Sequence, residues 1–121
     1  MRGITERRIL IADDKEIIRN LLWDFLSSYR CEAASAKNGA EALEMLKEEP
    51  FSLLITDLDM PGMDGIELIR NVRNLVIPVT IIGMSLGDKE SEFLKAGADY
   101  FLSKPFTFRH LKSILNFVFR E

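Results

Sequence analysis

Four acidic residues occupy positions where carboxylates could do chemistry together. Asp13 and Asp14 directly follow the apolar run RILIA (8–12), while Asp57 follows FSLLIT, with Asp59 two residues on and the Pro61-Gly62 turn behind it. Carboxylates brought close together repel one another unless a cation neutralises them. An all-oxygen ligand set suits a hard ion, and at a phosphate-handling site that ion is Mg²⁺. One carboxylate of such a set can then act as a nucleophile toward a phosphoryl group. An ammonium would neutralise the transferred oxygens and a hydroxyl would donate a further hydrogen bond, roles for which Lys104 and Ser85 are candidates. Taken singly, each residue has a plainer reading. Asp14 could cap the following helix, Asp57 could be a loop acid, Ser85 a cap and Lys104 a solvated charge. Only a fold that brings them to one edge favours the chemistry.

The elements around them predict such a fold. RILIA (8–12), EAASA (32–36), FSLLITD (51–57), VTIIGM (79–84) and YFLS (100–103) read as strands. Helical spacing of apolar residues follows each of them: 15–29, near 39–49, 64 to about 74, about 88–96 and near 107–119. Strands separated by helices imply parallel pairing, right-handed crossovers and helices on both faces. Near-continuous apolar strands fit a sheet covered on both sides. In sheets of this kind ligands bind beyond the carboxyl ends of the strands. That edge is where Asp13, Asp14, Asp57, the Gly83-Met84-Ser85 segment and Lys104 all fall. Asp57, at the end of the central strand, is best placed for attack.

Composition narrows the function classes. The 121 residues suffice for one domain with a real core, read as a single unit over 1–121. A net charge of −3 argues against direct nucleic-acid binding, which needs a basic face. Cys31 is the sole cysteine, so no intrachain disulfide forms, and a reduced cytoplasmic setting is expected. The apolar runs are too short for a membrane span, and MRGITERR has no apolar leader behind its charges. His110 reads as a solvated helical histidine and Trp23 as partial packing. Phe106, Phe108, Phe117 and Phe119 give the last helix more apolar surface than one core stripe needs.

The order "ILIADD", "LLITDLDMPGMDG", "AGADYFLSKPF" resembles the receiver domain of two-component response regulators over essentially the whole chain. The resemblance implies a flavodoxin-like, doubly wound (βα)5 α/β fold with strand order 2-1-3-4-5. It implies that Asp57 is the phosphoacceptor and that Asp14 ligates Mg²⁺, with Asp13 helping through water and Asp59 giving a backbone carbonyl. Lys104 would pair with the phosphoryl group, Lys104-Pro105 would be a cis peptide, and Phe101 would be a rotameric aromatic switch. The switch hydroxyl departs from the family pattern. Counting from Pro78 lands on Gly83, which has none, so Ser85 is the candidate through a local shift, and Gly83 without a hydroxyl is the rival. Met84 and Leu86 are bulky where the family prefers a small residue, which would restrict access, and the Ser85-to-Lys104 spacing is short.

The expected function is a phosphorylation-activated switch. A histidine kinase or histidine phosphotransfer protein would supply the phosphoryl group, and the face formed by the fourth helix, fifth strand and fifth helix would respond. That face would also suit a homodimer. Two other classes remain at this stage. One is a phosphohydrolase, on the likeness of Asp57-Leu58-Asp59 to the Asp-x-Asp start of haloacid-dehalogenase-type phosphatases, where the motif follows the first strand of a longer chain. The other is a phosphorylation-independent interaction domain of the same fold.

Overall fold

Five strands and five helices alternate without exception along residues 7–119, which are the residues described by the structure, a computed structural model. The chain runs β1 (Arg8–Ala12), α1 (Glu16–Ser28), β2 (Glu32–Ala36), α2 (Gly39–Glu48), β3 (Leu53–Asp57), α3 (Gly65–Asn74), β4 (Thr80–Leu86), α4 (Glu90–Ala96), β5 (Tyr100–Lys104) and α5 (Phe108–Phe119). The strands form one parallel sheet in the order β2-β1-β3-β4-β5. The segment read for a leader lies largely outside the described residues. Among those described, no helix is long and apolar enough to cross a membrane.

Strand alternation sorts the core onto the two faces of the sheet. Ile9, Ile11, Leu53, Ile55, Ile82, Met84 and Leu102 pack with Leu22 and Leu26 of α1 and Leu111 and Leu115 of α5. Leu10, Ala12, Leu54 and Ile81 turn the other way, against α2, α3 and α4. β3 is buried along its whole length, as expected of a central strand with helices on both sides. The same alternation carries Asp13, Asp57 and Lys104, each two residues beyond Ile11, Ile55 and Leu102, toward the α1–α5 side at the carboxyl edge.

Helix starts follow their chemistry. Asp64 caps α3 with a full capping box, accepting from the Glu67 N–H while its own N–H donates to the Glu67 carboxylate. Asn38 caps α2 through the Glu41 N–H. Trp23 does more than pack. Its indole N–H donates to the Ala33 carbonyl at 3.0 Å, and β2 is an edge strand whose Glu32 and Ala36 bond inward to β1. Ala33 therefore faces outward, and Trp23 covers a carbonyl that would otherwise invite another strand.

β4 runs to Leu86, two residues past the expected end, and α4 begins at Glu90 rather than near 88. Gly87, at φ +75°, ends the strand with a turn. Between Ser85 and Lys104 the chain fits an α4 of seven residues.

The end of α3 carries strain. Val76 sits at φ +56°, with its N–H on the Arg73 carbonyl and the Ile77 N–H on that of Val72. This is the paired closure that usually places glycine at the left-handed position. A left-handed residue with a Cβ costs about 1–2 kcal/mol, against about 0.5–1 kcal/mol for the extra chain entropy of glycine. Val76 is 82% exposed, so replacing it removes little packing. Val76→Gly is expected to raise stability by roughly 0.5–1 kcal/mol, seen as a melting temperature a few degrees higher by calorimetry. An unchanged or lower value would show that the turn is not strained.

Candidate functional site

Two strand ends and the turn after β1 bring the acids together. Carboxylate oxygens of Asp13, Asp14 and Asp57 all lie within 4.8 Å of one another. Asp13 and Asp57 are buried and Asp14 is exposed. Lys104, at the end of β5, reaches across β4 and sets its Nζ 2.8 Å from Asp57 Oδ1 and 3.7 Å from Asp13 Oδ2. Its side chain is only 17% exposed. The ammonium therefore holds two acids that would otherwise repel in a poorly hydrated place.

Asp13 carries the electrostatic strain. Its Oδ1 accepts the Lys15 N–H at 2.9 Å, whereas Oδ2 is buried without a hydrogen-bond partner. Burial, foremost, pushes its pKa above the ordinary value, and the Asp57 charge adds to this. The Lys15 N–H and the Lys104 and Lys15 charges pull the other way without cancelling it. A buried acceptor oxygen left open beside two further carboxylates fits a hydrated or directly bound hard cation. Asp14 does not cap α1, contrary to its plainer reading. Lys15 holds the cap position without a side-chain bond, and the Asp14 carboxylate stands 3.7 Å from Lys15 Nζ.

The turn after β3 is shaped by a close approach. A Cβ on Gly65 would lie 2.1 Å from the Asp57 carbonyl oxygen, and the Gly65 N–H donates to the Leu58 carbonyl at 2.9 Å. The start of α3 thus presses on the main chain of Asp57, where only glycine fits. Asp59 is exposed and lines, with Asp57, Lys104, Leu86 and Phe106, a cleft of about 530 Å³ at the same edge.

The register locates the Gly83-Met84-Ser85 segment. Asp57 pairs with Met84, whose carbonyl accepts the Leu58 N–H at 3.0 Å, and Thr56 pairs with Gly83. Ser85 is one residue beyond Asp57's partner, almost wholly buried, with its hydroxyl on the Leu86 carbonyl at 3.2 Å. Phe101 is half-buried against the α2–α3–α4 side, and the Lys104-Pro105 peptide is cis.

A model for the response regulator receiver domain matches residues 9–116. The chain belongs to that family. It is 38% identical over 105 residues to chemotaxis protein CheY of Halobacterium salinarum, spanning 83% of this chain and 86% of that one. It is also 34% identical over 110 residues to sensor histidine kinase RcsC of Salmonella typhi, spanning 88% of this chain but only 12% of that protein. Response regulator TrrA of Thermotoga maritima, solved with Mg²⁺ and BeF, is 32% identical with a TM-score of 0.86, over 93% of this chain and 98% of that one.

As a receiver domain of two-component signalling, the chain has its acidic dipeptide after β1 and its Asp-x-Asp starting at the last residue of β3. That second motif lies at the third strand and not the first, unlike the start of a haloacid-dehalogenase-type phosphatase. Met84 is fully buried in the α1–α5 core, on the same side of the sheet as its register partner Asp57, and is not among the residues lining the cleft. Leu86, 67% exposed beside the cleft, is the bulky residue that can affect access. His110 is exposed, as its helical position suggested, and its N–H donates to Thr107 Oγ1. Sequence reasoning missed Arg19, whose Nη1 donates to the Asp13 carbonyl at 2.8 Å, and Gly65. Arg19 carries no local signal, whereas the glycine opening a helix straight after a capping aspartate could have suggested tight packing.

Two outcomes follow from this geometry. Because the folded-state pKa of Asp13 is raised, its contribution to stability is present at acid pH and is lost as pH climbs from the ordinary 3.8 through the higher folded value. Asp13→Asn is therefore expected to raise the neutral-pH melting temperature of the metal-free protein by a few degrees and to flatten that loss. Melts across the pH range would show it, and a lower neutral-pH melting temperature would contradict it. Gly65→Ala, which meets main chain rather than a flexible side chain, is expected to cost about 1–3 kcal/mol in urea unfolding; full tolerance would show that α3 can withdraw.

Proposed function

We propose that this receiver domain is a phosphorylation-activated switch that takes a phosphoryl group from phosphohistidine onto Asp57. The observation that carries the reading is the 2.8 Å pair between Lys104 Nζ and Asp57 Oδ1 inside a cluster of three carboxylates. A pure interaction module gains nothing from holding acids together at such cost, which weighs against the phosphorylation-independent reading. Asp57 attacks the phosphorus; a P–O bond forms as the P–N bond to the donor imidazole breaks, and the imidazole departs. Lys104 pairs with Asp57 and follows the phosphoryl oxygens as charge builds there. Asp13, Asp14, Asp57 and the Asp59 carbonyl would hold Mg²⁺, which when bound supplies positive charge to the phosphoryl oxygens. On this reading the protein catalyses only its own phosphotransfer and dephosphorylation. Leu86 narrows the approach to Asp57.

The added charge of roughly −1.5 to −2 would draw the Ser85 hydroxyl from the Leu86 carbonyl and shift Phe101. The face of α4, β5 and α5 would respond as a population shift between two states. Leu94 and Phe117 leave apolar surface exposed on α4 and α5, which supports a partner or homodimer contact there. The phosphodonor would be a histidine kinase or a histidine phosphotransfer protein, and the setting cytoplasmic. Residues 1–121 are read as one receiver unit without direct nucleic-acid or membrane contact.

Intact-mass measurement with Mg²⁺ and a small acyl phosphate is the direct test. The wild type is expected to gain one phosphoryl group, and chelation of the metal to abolish the gain. Asp57→Asn should gain nothing, and Lys104→Met should label more slowly by roughly a hundredfold. An unchanged wild-type mass, or a labelled Asp57→Asn protein, would sink the reading.

A further inference from the structure

One aromatic ring joins the switch end of β4 to α4. Phe93 is completely buried and, with Ala96, makes up all the buried residues of α4. A helix of seven residues does not sustain itself, so its seat on the sheet depends on that ring. The seat is Gly83, where a Cβ would stand 2.2 Å from Phe93 Cδ1 and 2.5 Å from Cε1. Glycine inside a strand marks such a close approach. The same ring meets Phe101, the register partner of Gly83 on β5, with centroids 5.5 Å apart and planes tilted by 42°.

Gly83 is also tied to the acidic site. Its neighbour Met84 pairs with Asp57 and accepts the Leu58 N–H, and alternation returns Ser85 to the Gly83 face of the strand. A pull on the Ser85 hydroxyl therefore moves main chain that forms the floor under the Phe93 ring. Close-packed interiors answer such a shift by repacking rather than by stretching.

We infer that Phe93, seated in the notch at Gly83, is the positioning residue that links the state of Asp57 to α4 and sets the resting place of Phe101. This rests on the reading of Asp57 as a phosphoacceptor. The absent side chain at residue 83 thus has a use of its own. It makes room for a latch from the following helix.

The test compares wild type, Gly83→Ala and the Gly83→Ala/Phe93→Leu pair, each with and without beryllofluoride and Mg²⁺. Loading is followed by the fluorine resonances of the bound mimic, and α4 by amide exchange at Gly97 and Ala98, whose N–H groups donate to the Phe93 carbonyl at 3.2 and 3.0 Å. Loading is expected to change wild-type exchange at both amides by several-fold. Gly83→Ala should speed their exchange in the unloaded protein by about tenfold and remove the response to loading while still binding the mimic. Adding Phe93→Leu, which trades the ring for a smaller side chain, should restore unloaded protection without restoring the response, and the pair serves alone where Gly83→Ala does not fold. A ring that is only core filling would leave the loading response intact in either variant, which would overturn the inference. Wild type that loads with no change at α4 would overturn it too, leaving the phosphoacceptor reading in place. Wild type that does not load would overturn both.

Discussion

Like charges held at close range set the terms for this domain. Asp13, Asp14 and Asp57 stand with carboxylate oxygens within 4.8 Å of one another, two of them out of water. Such an arrangement persists only when the surrounding structure enforces it and a cation relieves it. Lys104 provides part of that relief from β5, on the far side of β4. Sheet order, strand length and the close approach of Gly65 to Asp57 all serve to keep these groups where their repulsion is contained. The remaining imbalance, concentrated on Asp13, is what makes the cluster receptive to a further positive charge.

The same sheet separates two tasks. On the α1–α5 side, side chains at the carboxyl edge are charged and converge on Asp57. On the α2–α3–α4 side, the corresponding depth holds Gly83, Phe93 and Phe101, with no charged group among them. β4 belongs to both sides, since alternation turns Met84 one way and Gly83 and Ser85 the other. A strand with this double membership can pass a displacement from the polar side to the apolar side without any chain of salt bridges. α4 is short and has only two buried residues, Phe93 and Ala96. Elsewhere the same side is firmly tied. Arg73 donates to the Gly97 and Val79 carbonyls and pairs with Asp99, which in turn accepts the Ile81 N–H. Those bonds tie the loop after α4 to α3 and to the start of β4.

Most of the fold was legible because the signals are local. RILIA and EAASA end where their apolar patterns end, and Asp64 with Glu67 marks the start of α3 as a capping box should. The end of β4 was less legible. VTIIGM is apolar but Ser85 is not, so the pattern stops two residues before the ladder does; pairing of Ser85 and Leu86 with Ser103 and Lys104 extends the strand. Asp14 shows the opposite failure. Its type and position suit a helix cap, yet the turn turns it toward the cluster, and Asp13 takes the local N–H bond instead.

By itself, the sequence determined the alternating fold, the acids at the carboxyl edge and the kinship with receiver domains, because periodicity, caps and short motifs are properties of neighbouring residues. Only the tertiary structure decided that Lys104 sits on Asp57, that Asp13 keeps an unsatisfied buried oxygen, and that Gly83 lies tight against the Phe93 ring. Each of these depends on which strand lies beside which and on the side of the sheet a residue faces. Contacts between residues far apart in the chain leave no mark on either residue's local pattern.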